Sequence, residues 1–308
     1  MGNELPPFQH DALNHIMLKK YIFLTKPGII FGNFVTTLGG FFLAAQGSID
    51  ILLFILTLVG TVLVVASGCV VNNYIDQDID HKMERTQNRA LVTKAINPTV
   101  ALIFAFVLGI LGLGILWIFT NIYAFGFAIL GFIVYVFFYS LWSKRTSIHQ
   151  TVIGSISGAC PPVIGYTAVS HEFDVAALLV FLAYALWQMP HSWGIAIYRF
   201  DDYKIAGIPI LPVARSIQRT KIESLIYVCL FTAVLNGLYC FHYTNIFFLI
   251  IFNSLCGYWI YLSVIGFKAE NDQLWAKRYF LYSVILITAL SVSFLFSYNA
   301  QAPHLPIF

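Results

Sequence analysis

From residue 21 onward the chain repeats one pattern: a long apolar run, a short polar break, then another apolar run. The runs fall at residues 21–45, 51–74, 98–120, 123–142, 151–169, 175–198, 222–241, 246–267 and 275–298. Each has about 20 residues, the length an α-helix needs to cross roughly 30 Å of hydrocarbon. Lipid admits only structures that pair every backbone polar group, helices or closed barrels, and unbroken apolar runs of this length are the helical signature. The pattern predicts an all-α polytopic membrane protein, a bundle of about nine transmembrane helices. The narrowest breaks are Thr120-Asn121-Ile122, between the third and fourth runs, and residues 242–245, between the seventh and eighth.

Composition excludes a soluble domain, with 59% hydrophobic residues, 10% charged residues and a mean hydropathy of +0.80. The five cysteines, at positions 69, 160, 229, 240 and 256, lie in or beside apolar runs without metal-ligand spacing and read as packing residues. Residues 1–20 form a polar tail with neither a signal-peptide pattern nor an Arg-rich transit pattern. A single transmembrane domain over 21–299 and a short outer-face tail over 300–308 complete the expected layout.

Charge placement fixes the orientation. With nine spans and the N-terminus inside, the inner loops hold Lys19, Lys20, Lys82, Arg85, Arg89, Lys94, Lys144, Arg145, Arg199, Lys204, Arg215, Arg219, Lys221, Lys268, Lys277 and Arg278. The one further cation, Lys26, sits at the inner end of the first run. The outer loops hold Asp50, Glu172 and Asp174 and no Lys or Arg. Such one-sidedness is the positive-inside rule. The short polar tail without a transit pattern favours a bacterial inner membrane over an organelle, with the tail and inner loops expected to be cytoplasmic, and no nucleic-acid partner is expected.

Chemistry concentrates where the second run ends. Residues 72–89 pack four carboxylates and three cations into a few turns. On a helix, Asn72, Asp76 and Asp80 recur every four residues and line one face. Oxygen ligands stacked in this way suit Mg²⁺, which takes one or two carboxylates and completes its shell with water and phosphate. Arg85, Arg89 and Lys94 follow at once, and Lys144 and Arg145 lie in the next inner loop, so a metal-bridged polyphosphate is the expected ligand. The plainer alternative is a solvated helix end. A second cluster, Tyr198-Arg199-Phe200-Asp201-Asp202-Tyr203-Lys204, closes the sixth run on the same membrane face. Inside that run lies Trp187-Gln188-Met189-Pro190-His191, and an ionisable side chain within a span is a functional candidate. His191, Tyr198 and Asp202 share a helical face, and Pro190 is expected to kink the helix and make room for a ligand. The plainer role for His191 is a hydrogen bond to a neighbouring helix.

These stretches resemble the UbiA superfamily of intramembrane prenyltransferases, and within it the branch that prenylates heme. Asn72-x3-Asp76-x3-Asp80 is similar to the superfamily's first acidic motif. The resemblance extends through residues 25–33 (Thr-Lys-Pro-Gly-Ile-Ile-Phe-Gly-Asn), 158–162 (Gly-Ala-Cys-Pro-Pro), 187–191 and 201–212. The chain departs from the branch at Ala90, where proline is usual, and at Ser192, where an aromatic is usual. At Tyr198 it carries no acid where much of the superfamily does. The resemblance implies farnesyl diphosphate and heme B as substrates and Mg²⁺ as cofactor, with Asn72, Asp76, Asp80 and Asp202 as catalytic metal ligands. It further implies Arg85, Arg89, Lys94, Lys144, Arg145, Arg199 and Lys204 on the diphosphate, and His191, Trp187 and Tyr198 around the heme. Heme A synthase or a terminal oxidase is the implied protein neighbour. Other classes to weigh are a prenyltransferase acting on a quinone precursor, a transporter, and a heme-binding assembly factor without catalysis. Acids gathered at one face, away from the midplane, speak against the transporter.

Overall fold

The computed structural model describes residues 17–300 and 302. Among these, nine helices are long and apolar enough to cross a membrane: α1 (Pro27–Ala45), α2 (Ile51–Ile75), α3 (Pro98–Phe119), α4 (Ile122–Thr146), α5 (Gln150–Ser170), α6 (Val175–Tyr198), α7 (Ile217–Cys240), α8 (Ile246–Lys268) and α9 (Asp272–Phe296). No strand occurs among the described residues. Most of both expected tails, residues 1–16, 301 and 303–308, lies outside them.

The polar breaks between apolar runs become helix caps. Asp50, Asn121 and Asp174 each accept a backbone N–H from the first turn of the following helix. Asn97, Ser216, Asn245 and Asn271 do the same for α3, α7, α8 and α9. A cap satisfies orphan donors that lipid leaves unpaired. Asn121 shows why so short a break turns the chain, since its Oδ1 accepts from both Tyr123 N and Ala124 N, at 3.0 and 3.1 Å.

The first apolar run differs from expectation. Residues 17–24 are helical, including 17–20 of the expected tail, and the helix then breaks at Thr25 and Lys26 before α1 begins. Pro27 lacks an N–H and disfavours helical geometry in the residue before it, and Lys26 adopts φ 57° and ψ 72°. The break turns the Lys26 side chain inward. The other run boundaries differ by a few residues; α7 begins at Ile217 and α9 at Asp272, earlier than the apolar pattern places them.

Successive helices pack on one another, and α9 returns to both α6 and α1. Helix α5 is wedged against α1, α4 and α6, so 67% of its span is buried, against 17% for α3 at the periphery. Backbones meet closely there: a Cβ on Gly40 would stand 1.8 Å from the Pro162 carbonyl oxygen, and one on Gly165 2.0 Å from that of Thr37. Helix α6 runs through Pro190 without interruption.

Candidate active site

The site assembles at the inner ends of α1, α2 and α4. Helix α2 ends at Ile75, Asp76 caps it, and a short helix, Gln77–Asp80, continues. Backbone bonds from Asp76 N to Asn72 O (2.9 Å) and from Asp80 N to Asp76 O (2.8 Å) keep the four-residue spacing through the join. Asn72, Asp76 and Asp80 therefore share a face, as the spacing predicts, and all three are at most 2% exposed.

Each of the three meets a cation. Lys26 donates to Asn72 Oδ1, Lys144 donates to Asp76 Oδ2, and Arg89 donates to Asp80 Oδ2 at 2.5 Å. Arg145 grips Asp78 with both terminal nitrogens, at 2.6 and 2.7 Å, and its Nη2 also reaches the Ile75 carbonyl at 2.7 Å. That guanidinium holds the Asp78 carboxyl below the usual carboxylate range. Asp76 Oδ1 is left buried without a hydrogen bond, with Arg145 Nη2 3.8 Å away. A buried carboxylate oxygen without a partner is costly, and a hard cation bound there would satisfy it.

Helix α4 contributes through a wide π-type stretch, Val134–Ser143. Such stretches recur at functional sites. Ser140 Oγ donates to Tyr135 O at 2.7 Å and accepts from Asn72 Nδ2 at 2.8 Å. Tyr135 and Tyr139 stack at 5.9 Å on the wall of a cavity of about 280 Å³. The cavity's lining is mostly apolar side chains of α2, α4, α5 and α6, joined by Tyr203 and Ile210 from the segment after α6. Cys69, one turn before Asn72, belongs to the same wall.

The other expected site residues lie as follows. Arg85, Lys94, Arg199 and Lys204 are exposed, and among the described residues none has a carboxylate partner. Burial pushes the Tyr203 hydroxyl up, against the pull of the Arg85 guanidinium and with the Asp202 carboxylate adding to the rise. Tyr203, part of the second cluster, thus feels the charge of Arg85 and Arg89 from the first. Asp202 rides on the separate helix Phe200–Ile205, and no three His, Cys, Asp or Glu side chains gather as a metal cluster among the described residues. Helix α6 stops at Arg199, whose φ −112° and ψ 35° end it. The face that was expected to run from His191 to Asp202 is broken there.

The face carrying Trp187, His191 and Tyr198 packs on α9. Trp187 Nε1 donates to Ser283 O at 3.0 Å and His191 Nδ1 lies 2.7 Å from Ser283 Oγ. Trp187 stacks on His191 at 4.4 Å, and Lys277 of α9 lies 5.6 Å from the Tyr198 ring. The cavity is lined instead by Gln188, Ser192 and Ile195, on the neighbouring face of α6. Sequence reasoning passed over Lys26, Ser140, Tyr139 and Tyr203. For Lys26 the sequence showed only a cation before Pro-Gly at a span's inner edge, and its direction came from the break.

The fold and the motifs both have counterparts. The model of the UbiA prenyltransferase family matches residues 33–285. Protoheme IX farnesyltransferase of Acinetobacter baumannii is 80% identical over 292 residues, covering 95% of this chain and all of the relative. The Cronobacter sakazakii protein of the same name is 50% identical, covering 90% of this chain and 94% of the relative. Among solved structures, a digeranylgeranylglyceryl phosphate synthase superposes with a TM-score of 0.75 at 22% identity, covering 91% of this chain and 98% of the other. A UbiA homolog from Archaeoglobus fulgidus bound to GPP and Mg2+ superposes with a TM-score of 0.66 at 16% identity, covering 90% and 99%. These likenesses at low identity concern the fold; the family follows from the family model and the closer relatives. The chain belongs to the UbiA prenyltransferase family.

Proposed function

We propose that this chain transfers the farnesyl group of farnesyl diphosphate to a vinyl group of heme B, giving heme O and diphosphate, at the cytoplasmic face of a bacterial inner membrane. The observation that carries the reading is the buried row Asn72, Asp76 and Asp80, met by Lys26, Lys144 and Arg89 beside an apolar cavity of about 280 Å³. A prenyl diphosphate needs those two environments side by side. The relatives at 80% and 50% identity, named for this reaction, supply the acceptor.

Asp76 and Asp80 with Asn72 would hold Mg²⁺, and the unpartnered Asp76 Oδ1 fits that donor set. Bound magnesium supplies positive charge to the departing diphosphate. Lys144, Arg89 and Arg145 now neutralise carboxylates, and they stand close enough to turn to phosphate oxygens as the ligand arrives. Arg85, Lys94, Arg199 and Lys204 are exposed, and their charge would attract the anion to this membrane face. The C1–O bond breaks with its electron pair on diphosphate. C1 bonds the terminal vinyl carbon, and water adds a hydroxyl to the next carbon with loss of a proton. The lining of the cavity keeps other water from the allylic cation.

The test is pigment extraction from membranes expressing the chain. Heme O should appear with added farnesyl diphosphate, vanish with EDTA and return with Mg²⁺. A farnesylated 4-hydroxybenzoate in place of heme O would overturn the acceptor.

A further inference from the structure

A second cavity, of about 510 Å³, lies beside the first, between the start of α5, the inner end of α6 and the start of α7. Its walls carry His149, Trp193, Arg215, Arg219 and Tyr227, with Glu223 as the one carboxylate. Arg219 Nε donates to Glu223 at 2.7 Å, whereas Arg215 has no carboxylate partner among the described residues. Trp193 is 3% exposed, yet its indole N–H has no acceptor. The lining is thus rich in donors and positive charge and short of acceptors, which suits an anionic oxygen ligand. The two cavities adjoin: Thr151 lines both, and the consecutive residues Ile210 and Leu211 line the first and the second.

We propose that this second cavity holds the propionate carboxylates of the tetrapyrrole acceptor, an inference resting on the function proposed above. On protoporphyrin the propionates stand on the edge opposite the vinyl groups. Carboxylates held at Arg215 would therefore direct the vinyl edge across the Thr151–Ile210 wall toward the farnesyl cavity. The propionates stay at the membrane surface and the macrocycle stays in the apolar interior.

The test compares heme B with its dimethyl ester, whose propionates are capped, using the full chain in nanodiscs of phosphatidylcholine with or without phosphatidylglycerol. The wild type should show a KM about tenfold lower for heme B than for the ester. Arg215→Gln, at an exposed position, should raise the KM for heme B about tenfold and leave the KM values for the ester and for farnesyl diphosphate unchanged. Trp193→Phe should act in the same direction and less strongly. Equal use of heme B and ester by the wild type would overturn the site, as would an Arg215→Gln effect on farnesyl diphosphate. An Arg215→Gln effect confined to phosphatidylglycerol discs would assign the cavity to an anionic lipid headgroup and overturn it too. Absorbance titration separates the two ideas. A wild type that binds heme B more tightly than the ester yet makes no heme O keeps the site and loses the function, and one that makes heme O without discriminating loses only the site.

Discussion

Arg89 and Asp80, nine residues apart in the chain, meet at 2.5 Å, and Asp80 is 1% exposed. The contact folds the loop after the Gln77–Asp80 helix back over the carboxylate row, and Thr86 Oγ1 pins the same loop to the Asp80 carbonyl at 2.8 Å. Lys144 does for Asp76 what Arg89 does for Asp80. Burying a carboxylate and a cation together gains little net stability, but removing one partner strands the other. On the proposed function, this arrangement holds fixed charge where a phosphate would use it.

Asp76→Asn is the direct test of that row. It removes the charge that faces Lys144 and the oxygen left open for a cation. We expect heme O formation to fall by at least about 100-fold, with about 3 kcal/mol lost from stability because Lys144 is left without its anion. Rate and melting temperature of the detergent-solubilised protein report the two effects. A variant with the wild-type rate would remove Asp76 from the chemistry.

Asp78, two residues on, should behave differently. Its side chain is 62% exposed, and its partner Arg145 holds its carboxyl below the ordinary range. A depressed value in the fold contributes stability that is present above the unfolded carboxylate value of about 3.9 and fades as pH falls through the folded one. Asp78→Asn should therefore cost less than about 1 kcal/mol near neutrality, since exposed pairs are screened, and flatten the loss of stability below about pH 4. A loss of activity like that of Asp76→Asn would show that exposure does not separate the two acids.

The close approach of α1 and α5 gives a third prediction. A methyl group on Gly165 would meet the Thr37 carbonyl at 2.0 Å, and that oxygen belongs to the backbone and cannot move aside. Gly165→Ala should cost about 3 kcal/mol through overpacking. Gly28→Ala, with nothing within 4 Å of the added carbon, should be nearly silent. Thermal unfolding of both variants in one detergent decides it.

Much of this was legible because lipid imposes strict rules. Apolar length gave nine helices, and the four-residue spacing of Asn72, Asp76 and Asp80 survived even where the helix is joined at Asp76. What stayed hidden depended on direction. Lys26 looked like an ordinary inner-edge cation until the break before Pro27 turned it onto Asn72. Asp202 looked continuous with α6 until the chain broke at Arg199. Periodicity put His191 and Tyr198 on one face together with Asp202, but no sequence signal says which neighbour a face meets, and for His191 and Tyr198 it is α9.

That orientation makes the last prediction. His191 is held by Ser283 on one side and stacked on Trp187, and Phe280 lies 5.5 Å away. Its nearest work is joining α6 to α9. His191→Ala should lower stability by about 1–3 kcal/mol, through a lost hydrogen bond and a lost ring contact, and leave the optical spectrum of bound heme unchanged. Gln188→Ala, on the face that lines the farnesyl cavity, should raise the KM for farnesyl diphosphate with stability little altered. Absorbance spectra, melting curves and KM values on the two variants separate these roles. A spectrum altered in His191→Ala at an unchanged melting temperature would return the histidine to the acceptor.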